Sequence, residues 1–539
     1  MKTSNRTIQN RSKHARLAAE HVIPAHHVDS PEVAAFLRTL DGRPETRSQI
    51  LYSIGAQLLG HTKNPAARAF LAEYKETLIA IDDVPKDAFD LLGSTYQYLN
   101  SKKENLELGA FYTGKAIAKD FVGDLTFDNG EMIFDPSCGS GAFLFHSNAP
   151  AAQIYGVDFD PLAIMIAKFN YFIKFPDAPT PNLFYADFFS WFSANIDLRF
   201  DYVIANPPYG ASLDAHLPTT HISSGESFSH FLELGYRLLK RGGTLRYLVP
   251  ESLLNVKKHA DVRLFILGHT NLARIKRYRS KFSGVMSDTY LIELDHAATR
   301  NVLFEGDEAT KVPKAIFKNL QHSVFVDLNK KDVAIIKKIE DLKNSDLSNS
   351  IFALGVVTGD NTTKLTTKRT AKSEPIYTGK EVERYVLLPA KNFIVFNRAN
   401  LQQVAPDETY RAPEKLVYKT ISKFLRFALD TTGALTTNSA NIVIPKIPGL
   451  DAVTVMALLN SRLYSYLHLK LFAGVNKVAK ENLSALPLPA LTKAQRAAIA
   501  QRAAIAVQTG NDALLQKYIN ENIFGLSSTE IDYINSLVP

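Results

Sequence analysis

Two stretches decide the fold: EMIFDPSCGSGAFLF at residues 131–145 and FDYVIANPPY at residues 200–209. Each is a short apolar run that ends abruptly in polar, glycine- or proline-bearing residues. Between them lie QIYGVD (153–158), PLAIMIAKFNYFIK (161–174) and NLFYAD (182–187), and beyond them FLELGYRLLKRGG (231–243) and TLRYLVP (244–250). Apolar runs of strand length alternating with helical ones argue a parallel, doubly wound α/β sheet. In such a sheet the chemistry collects where strands end, so the residues closing each run become the candidates.

In FDPSCGSGAF, Gly139 and Gly141 permit a tight turn and close approach to a ligand, and Asp135 and Cys138 flank them. Turn chemistry alone would also explain these glycines. The spacing is neither GxGxxG nor GxxxxGK[ST], which disfavours dinucleotides and nucleoside triphosphates. Asp158 closes the next run, where a carboxylate can grip ribose hydroxyls. Asp187 and Phe188 close the third, as an acceptor for an adenine amine and a stacking ring. Any one acid could be a solvated surface group, but three matched strand ends read as a site for an adenosine-bearing cofactor.

The fourth run leads into Asn206-Pro207-Pro208-Tyr209. Prolines fix the backbone and remove donors, so the Asn206 side-chain oxygen and a neighbouring carbonyl, Pro207's, can both accept from an exocyclic amine. Its lone pair is then aimed at an electrophile. Tyr209 offers a flat face to a base that has left its helix.

FDPSCGSGAF, YGVDFDP, YADFF and NPPY, in that order, resemble motifs I to IV of S-adenosylmethionine-dependent DNA amino-methyltransferases. LGAFYTGKAIAKDFV (108–122) resembles their motif X, with Thr113 at the position that contacts the cofactor's methionine end and Gly114 where proline is usual. Motif X before I to VIII, with a specificity domain last, is the order of the gamma class. GGTLRYLVPESLLN resembles motif VI and KFSGVMSDTYLIEL motif VIII, which places Phe282 against the flipped base, although simple core packing is an alternative. GVVTGDN, PIYTGKEVERY, ALLNSRLYSYL and KENLSALPLP resemble a Taq-type specificity domain, and FDLLGSTYQYL (89–99) matches the family faintly.

The resemblance implies a site-specific DNA adenine-N6 methyltransferase of a restriction–modification system, with S-adenosyl-L-methionine as cofactor and double-stranded DNA as partner. The cofactor would lie against Thr113, Asp135, Cys138, Gly139, Gly141, Asp158, Asp187 and Phe188, and a flipped adenine between Tyr209 and Phe282. ARIKRYRSKF carries Arg274, Lys276, Arg277, Arg279 and Lys281 with no acid, and reads as phosphate contact beside the base pocket. Residues 351–430 hold 13 Lys+Arg against 8 Asp+Glu, five of the chain's net +8, which marks Lys364, Lys368 and Arg369 as DNA-facing. A modification subunit needing a separate specificity subunit, a methyltransferase of ribosomal RNA or release-factor glutamine, and a catalytically silent DNA-binding protein are the rivals.

The expected organisation is an N-terminal helical region (1–105), a Rossmann-like catalytic domain (106–320), an α+β target-recognition domain (321–490) and a C-terminal helical segment (491–539). Ser30-Pro31 and Asn64-Pro65 read as helix starts, and Ile50, Ile54 and Leu58 repeat at helical spacing. One cysteine cannot form an intramolecular disulfide or a cysteine zinc site, and no metal motif occurs. Pro406-Asp407 with Glu414-Lys415 only approaches a nuclease pattern and reads as accidental. With no apolar signal segment after the basic start and no long uncharged apolar run, a cytoplasmic, non-membrane protein is expected. A monomer is also expected, with any cognate endonuclease acting on the same site without a stable complex.

Overall fold

The computed structural model describes residues 30–74, 76–86, 90–100, 114–128, 130–209, 217–224, 226–279, 288–472 and 477–538. The chain divides into two compact units, 1–314 and 315–539.

The first unit is built on a nine-stranded sheet, with strands β1 (Ile133–Asp135), β2 (Ile154–Asp158), β3 (Asn182–Tyr185), β4 (Phe200–Ala205), β5 (Leu239–Pro250), β6 (Asn271–Tyr278), β7 (Thr289–Asp295), β8 (Asn301–Glu305) and β9 (Ala309–Pro313). Their spatial order is 3-2-1-4-5-7-6-8-9. Strands β1 to β5 are mutually parallel. All three residues of β1 are buried, as a central strand covered on both faces requires. The five runs read as parallel strands are β1 to β5, and beyond them β7 runs antiparallel to both β5 and β6. The short 279–288 connection cannot make the crossover that a parallel β6–β7 pair would need. The helical run read at 231–243 stops early. Helix Ser227–Arg237 ends and Leu239 already enters β5, with Gly242 (φ +88°) turning the chain inside it.

Chain order reverses at β1, which has β2 on one side and β4 on the other. The crevice outside the carboxyl ends of β1 and β4 is therefore where such a sheet binds ligands. Asp135 and Asn206 lie at those ends, and Asp158 and Asp187 lie at or just past the carboxyl ends of β2 and β3 on the same edge.

The N-terminal helices α1 (Pro31–Arg38), α2 (Arg47–Leu59), α3 (Pro65–Glu73) and α4 (Leu91–Leu99) share one apolar core with the sheet. The boundary expected near 105 separates no independent body. Helix α5 (Lys115–Val122) follows α4, and α6 (Pro161–Lys174) crosses from β2 to β3. Ile50 and Ile54 are buried, and Gly55 lets α2 close onto α6, where a Cβ would sit 2.6 Å from the Phe169 ring. Asn64 caps α3 by accepting from Ala66 N at 2.9 Å, and its amide donates to the Pro176 and Ala178 carbonyls. Ser30 occupies the N-cap of α1, but its side chain makes no cap bond.

The second unit is α+β. Two four-stranded sheets include strands 351–353, 374–377, 392–394, 415–419, 427–430 and 440–444. The last helices belong to this unit: Arg496 donates to the Gly449 carbonyl at 2.6 Å, and the Arg462 amide to Gln516 Oε1 at 3.0 Å. Among the described residues, no helix is long and apolar enough to cross a membrane.

Candidate active site

The turn after β1 is shaped by two buried carboxylates. Asp135 Oδ1 accepts from Ser137 N at 2.9 Å. Asp158, at the tip of β2, accepts from Gly139 N through Oδ2 at 2.8 Å and from Asp160 N through Oδ1 at 3.0 Å. Gly139 (φ +52°) and Gly141 (φ +84°) both take the left-handed backbone, and a Cβ at Gly141 would fall 2.0 Å from the Phe145 ring. Asp135, Gly139, Gly141 and Asp158 thus come together in one loop against one strand end. Burial pushes the Asp158 pKa up to about 6, and holds Asp135 well above the ordinary carboxylate range, with the Asp158 charge adding to that rise.

Cys138 needs correcting as a cofactor contact. Its thiol is buried against β2, where a Cβ on Gly156 would meet Sγ at 2.9 Å, and its amide donates to the Val157 carbonyl at 2.9 Å. Burial pushes its pKa far up, so it acts as an apolar wall.

Phe188 departs from expectation, while Asp187 is exposed. Asp187 caps helix α7 (Phe188–Ala194), with Oδ2 accepting from Ser190 N at 2.9 Å. Phe188 is 2% exposed and packs among Phe134, Phe192 and Phe231, so its ring has no open face for an adenine. Two aromatics at this edge are open: Phe159, 53% exposed and directly after Asp158, and Tyr185, 64% exposed at the end of β3. The signal for Phe159 was present in YGVDFDP, as an aromatic residue placed where the chain leaves the strand.

Strand β4 delivers Asn206 beside the glycine loop, and Ser137 Oγ donates to the Asn206 carbonyl at 3.4 Å. The Tyr209 hydroxyl lies 2.8 Å from Asn206 Oδ1 and 3.1 Å from the Leu248 carbonyl, so its one proton is shared between two acceptors. Burial raises its pKa far above the usual phenol value. The Tyr209 ring meets Phe228 edge-on, with centroids 6.2 Å apart. Ser227 Oγ donates to the Pro208 carbonyl. Tyr209 was expected to present a stacking face. Here its hydroxyl instead occupies the Asn206 oxygen expected for the target amine, because that buried hydroxyl needs an acceptor.

Thr113, Lys281 and Phe282 lie outside the described residues. The run ARIKRYRSKF is acid-free only along the chain. On β6 and just past it, Arg274 pairs with Glu305 at 2.7 Å, Lys276 with Asp120 at 2.6 Å, and Arg277 and Arg279 with Asp307. Phosphate contact from these side chains would have to exchange those pairs. Lys364, Lys368 and Arg369 of the second unit are exposed.

Comparison with known proteins places this geometry in context. Residues 87–230 match the family model "N-6 DNA Methylase", and residues 374–488 match "TaqI-like C-terminal specificity domain". Among curated proteins, the type II methyltransferase M.VspI of Vibrio sp. (strain 343) is 26% identical over 311 residues, covering 54% of this chain and 75% of its own. The type I restriction enzyme MjaIX methylase subunit of Methanocaldococcus jannaschii is 34% identical over 137 residues, 23% of either chain. Among solved structures, the type IIL restriction-modification enzyme MmeI in complex with DNA shares the fold, with a TM-score of 0.50 and 12% identity over 85% of this chain and 79% of that one.

Proposed function

From an N-6 DNA methylase segment followed by a TaqI-like specificity domain, we propose that this chain is a DNA methyltransferase of a restriction–modification system. It acts on the N6 amine of an adenine extruded from double-stranded DNA, with S-adenosyl-L-methionine as methyl donor. The observation that carries the reading is the junction at Ser137. One hydrogen bond holds the NPPY asparagine against a glycine loop backed by two buried carboxylates.

The residues present suit the cofactor. Asp158 keeps acceptor capacity beyond its two backbone donors and suits ribose hydroxyls, and exposed Phe159 suits an adenine ring. When bound, S-adenosylmethionine supplies an electrophilic methyl group on a sulfonium. The protein's part is to hold the amine. Asn206 Oδ1 takes one N–H once the Tyr209 hydroxyl retires to the Leu248 carbonyl, 3.1 Å away, and the Pro207 carbonyl takes the other. Tyr209 then turns its ring to the base. Preorganised acceptors and in-line geometry do the work, with no covalent intermediate on the enzyme.

Replacing Asn206 with Ala should lower single-turnover methyl transfer by at least ~100-fold, leaving cofactor affinity within a few-fold. Nucleoside analysis of DNA treated with the unaltered protein should show N6-methyladenine. Transfer at near wild-type rate in the variant would overturn the mechanism, and methylcytosine alone would overturn the base assignment. The TaqI-like domain in the same chain favours a self-sufficient enzyme over a subunit that borrows its specificity.

A further inference from the structure

Helix α4 has no part in the chemistry above, yet it grips both turns of the glycine-loop site. Asp90, its N-cap, sits in the left-handed conformation (φ +42°) and divides its carboxylate three ways. Oδ1 accepts from Gly93 N and from Asn170 Nδ2, both at 3.1 Å, and Oδ2 accepts from Ser140 Oγ at 2.5 Å. Asn170, on α6, also donates to the Ser140 carbonyl at 2.9 Å. Ser140 is 1% exposed and stands between the two left-handed glycines of the loop. Further along α4, the Tyr96 hydroxyl donates to Asp160 Oδ2. Asp160 caps α6 through Leu162 N at 2.9 Å, while its own amide donates to Asp158 Oδ1.

A helix cap needs one of these bonds, and Gly93 provides it. The others run outward, to the loop and to the residue that orients Asp158. Gly93 itself is required by the arrangement, because a Cβ there would lie 2.3 Å from Asp90 Oδ2. Apolar side chains of α4 join the same core as Phe143 and Leu144, but they leave a gap beside Asp90. A cavity of about 310 Å³, lined by Leu58, Asp90, Leu91, Ala142, Phe145 and Asn170 among others, separates α4 from the segment that follows the loop. Polar bonds, which are directional and short, are what bridge it.

We propose that Asp90 and Tyr96 are positioning residues of the cofactor site: through Ser140 and Asp160 they fix the glycine loop and Asp158, so the N-terminal helices set cofactor affinity without touching the cofactor. The proposal rests on the reading of the glycine loop as the S-adenosylmethionine site.

The test is equilibrium titration of the full chain with S-adenosylmethionine, without DNA, alongside thermal unfolding of each preparation. Asp90→Ala and Ser140→Ala should each weaken binding about tenfold. Because the Asp90–Ser140 bond is common to both variants, their losses should be less than additive in the double variant. Asp90→Asn should stay within about threefold, since its amide oxygen can serve Gly93 and Asn170 while its NH₂ donates to Ser140 Oγ. Tyr96→Phe should raise the KM for cofactor a few-fold at nearly unchanged kcat. A purely structural role would lower Tm in these variants and leave the affinities of the folded fraction alone. That result, or fully additive losses in the double variant, would overturn the proposal. Should Asp90→Ala fail to fold, Tyr96→Phe and Ser140→Ala decide it by the same affinity readout. Absence of binding by the unaltered protein would instead overturn the cofactor reading beneath it.

Discussion

Asp158→Asn separates what this carboxylate costs the fold from what it does for the ligand. Its folded pKa is about 6 against an ordinary 3.8, so the folded state holds the proton more tightly than the unfolded chain by roughly 2 units, or about 3 kcal/mol. The contribution of this raised-pKa acid is fully present below about pH 4 and is lost as pH rises through about 6. Asn is neutral throughout and lacks that loss. The stability difference, variant minus wild type, should therefore climb by about 2 kcal/mol between pH 4.5 and pH 7.5. A constant offset will accompany it, because the Asn amide cannot accept from both Gly139 N and Asp160 N. Removing the Asp158 charge also relaxes Asp135, whose pKa that charge raises, and this adds in the same direction. Cofactor affinity should move the other way. Charge-assisted bonds to ribose hydroxyls are each worth about 1.5–3 kcal/mol, so losing them should weaken binding by roughly 10- to 100-fold at pH 7.5. Wild-type affinity should also fall as pH drops below about 6, and variant affinity should not. Denaturant unfolding of both proteins across pH 4.5–7.5, with cofactor titrations at the same points, measures both effects. Parallel stability curves, or equal affinities at pH 7.5, would refute the reasoning.

Two further outcomes follow from other parts of the molecule. Gly55→Val forces a branched side chain into the Phe169 ring, where even a Cβ sits at 2.6 Å, and should cost about 1–3 kcal/mol, read as a lower denaturant midpoint at unchanged slope. An unchanged midpoint would mean that α2 and α6 are not closely joined. Replacing Lys364, Lys368 and Arg369 together by Ala should reduce the slope of log affinity for duplex DNA against log salt by up to about 3, at constant cofactor affinity. An unchanged slope would place the phosphate contacts on other side chains.

Strand ends were legible because each is announced locally, by an apolar run that stops at a carboxylate, a glycine or a proline. That was enough to place Asp135, Gly139, Gly141, Asp158 and Asn206 at one sheet edge. It could not say which side chains at that edge turn outward. Phe188 and Phe159 follow neighbouring strand ends in the same way, yet α7 rolls Phe188 into the core and leaves Phe159 open. Pairing between distant segments was equally invisible. The acids that neutralise β6 come from residues 120, 305 and 307, brought close by strand register and α5 packing, so a run without acids in sequence is a ladder of ion pairs in the fold.

The same limit hid the role of the N-terminal helices. Nothing in FDLLGSTYQYL connects Asp90 to Ser140, fifty residues later, until α4 lies across the loop. Residues that touch a ligand announce themselves by chemical type beside a strand end. Residues that hold those in place carry ordinary types at ordinary positions and are recognised only by the bonds they make. Asp90 illustrates why the distinction matters. A buried carboxylate is expensive to keep where an Ala would suffice, and it persists only where all of its bonds are needed. Its position therefore predicts that the N-terminal helices and the glycine loop lose function together.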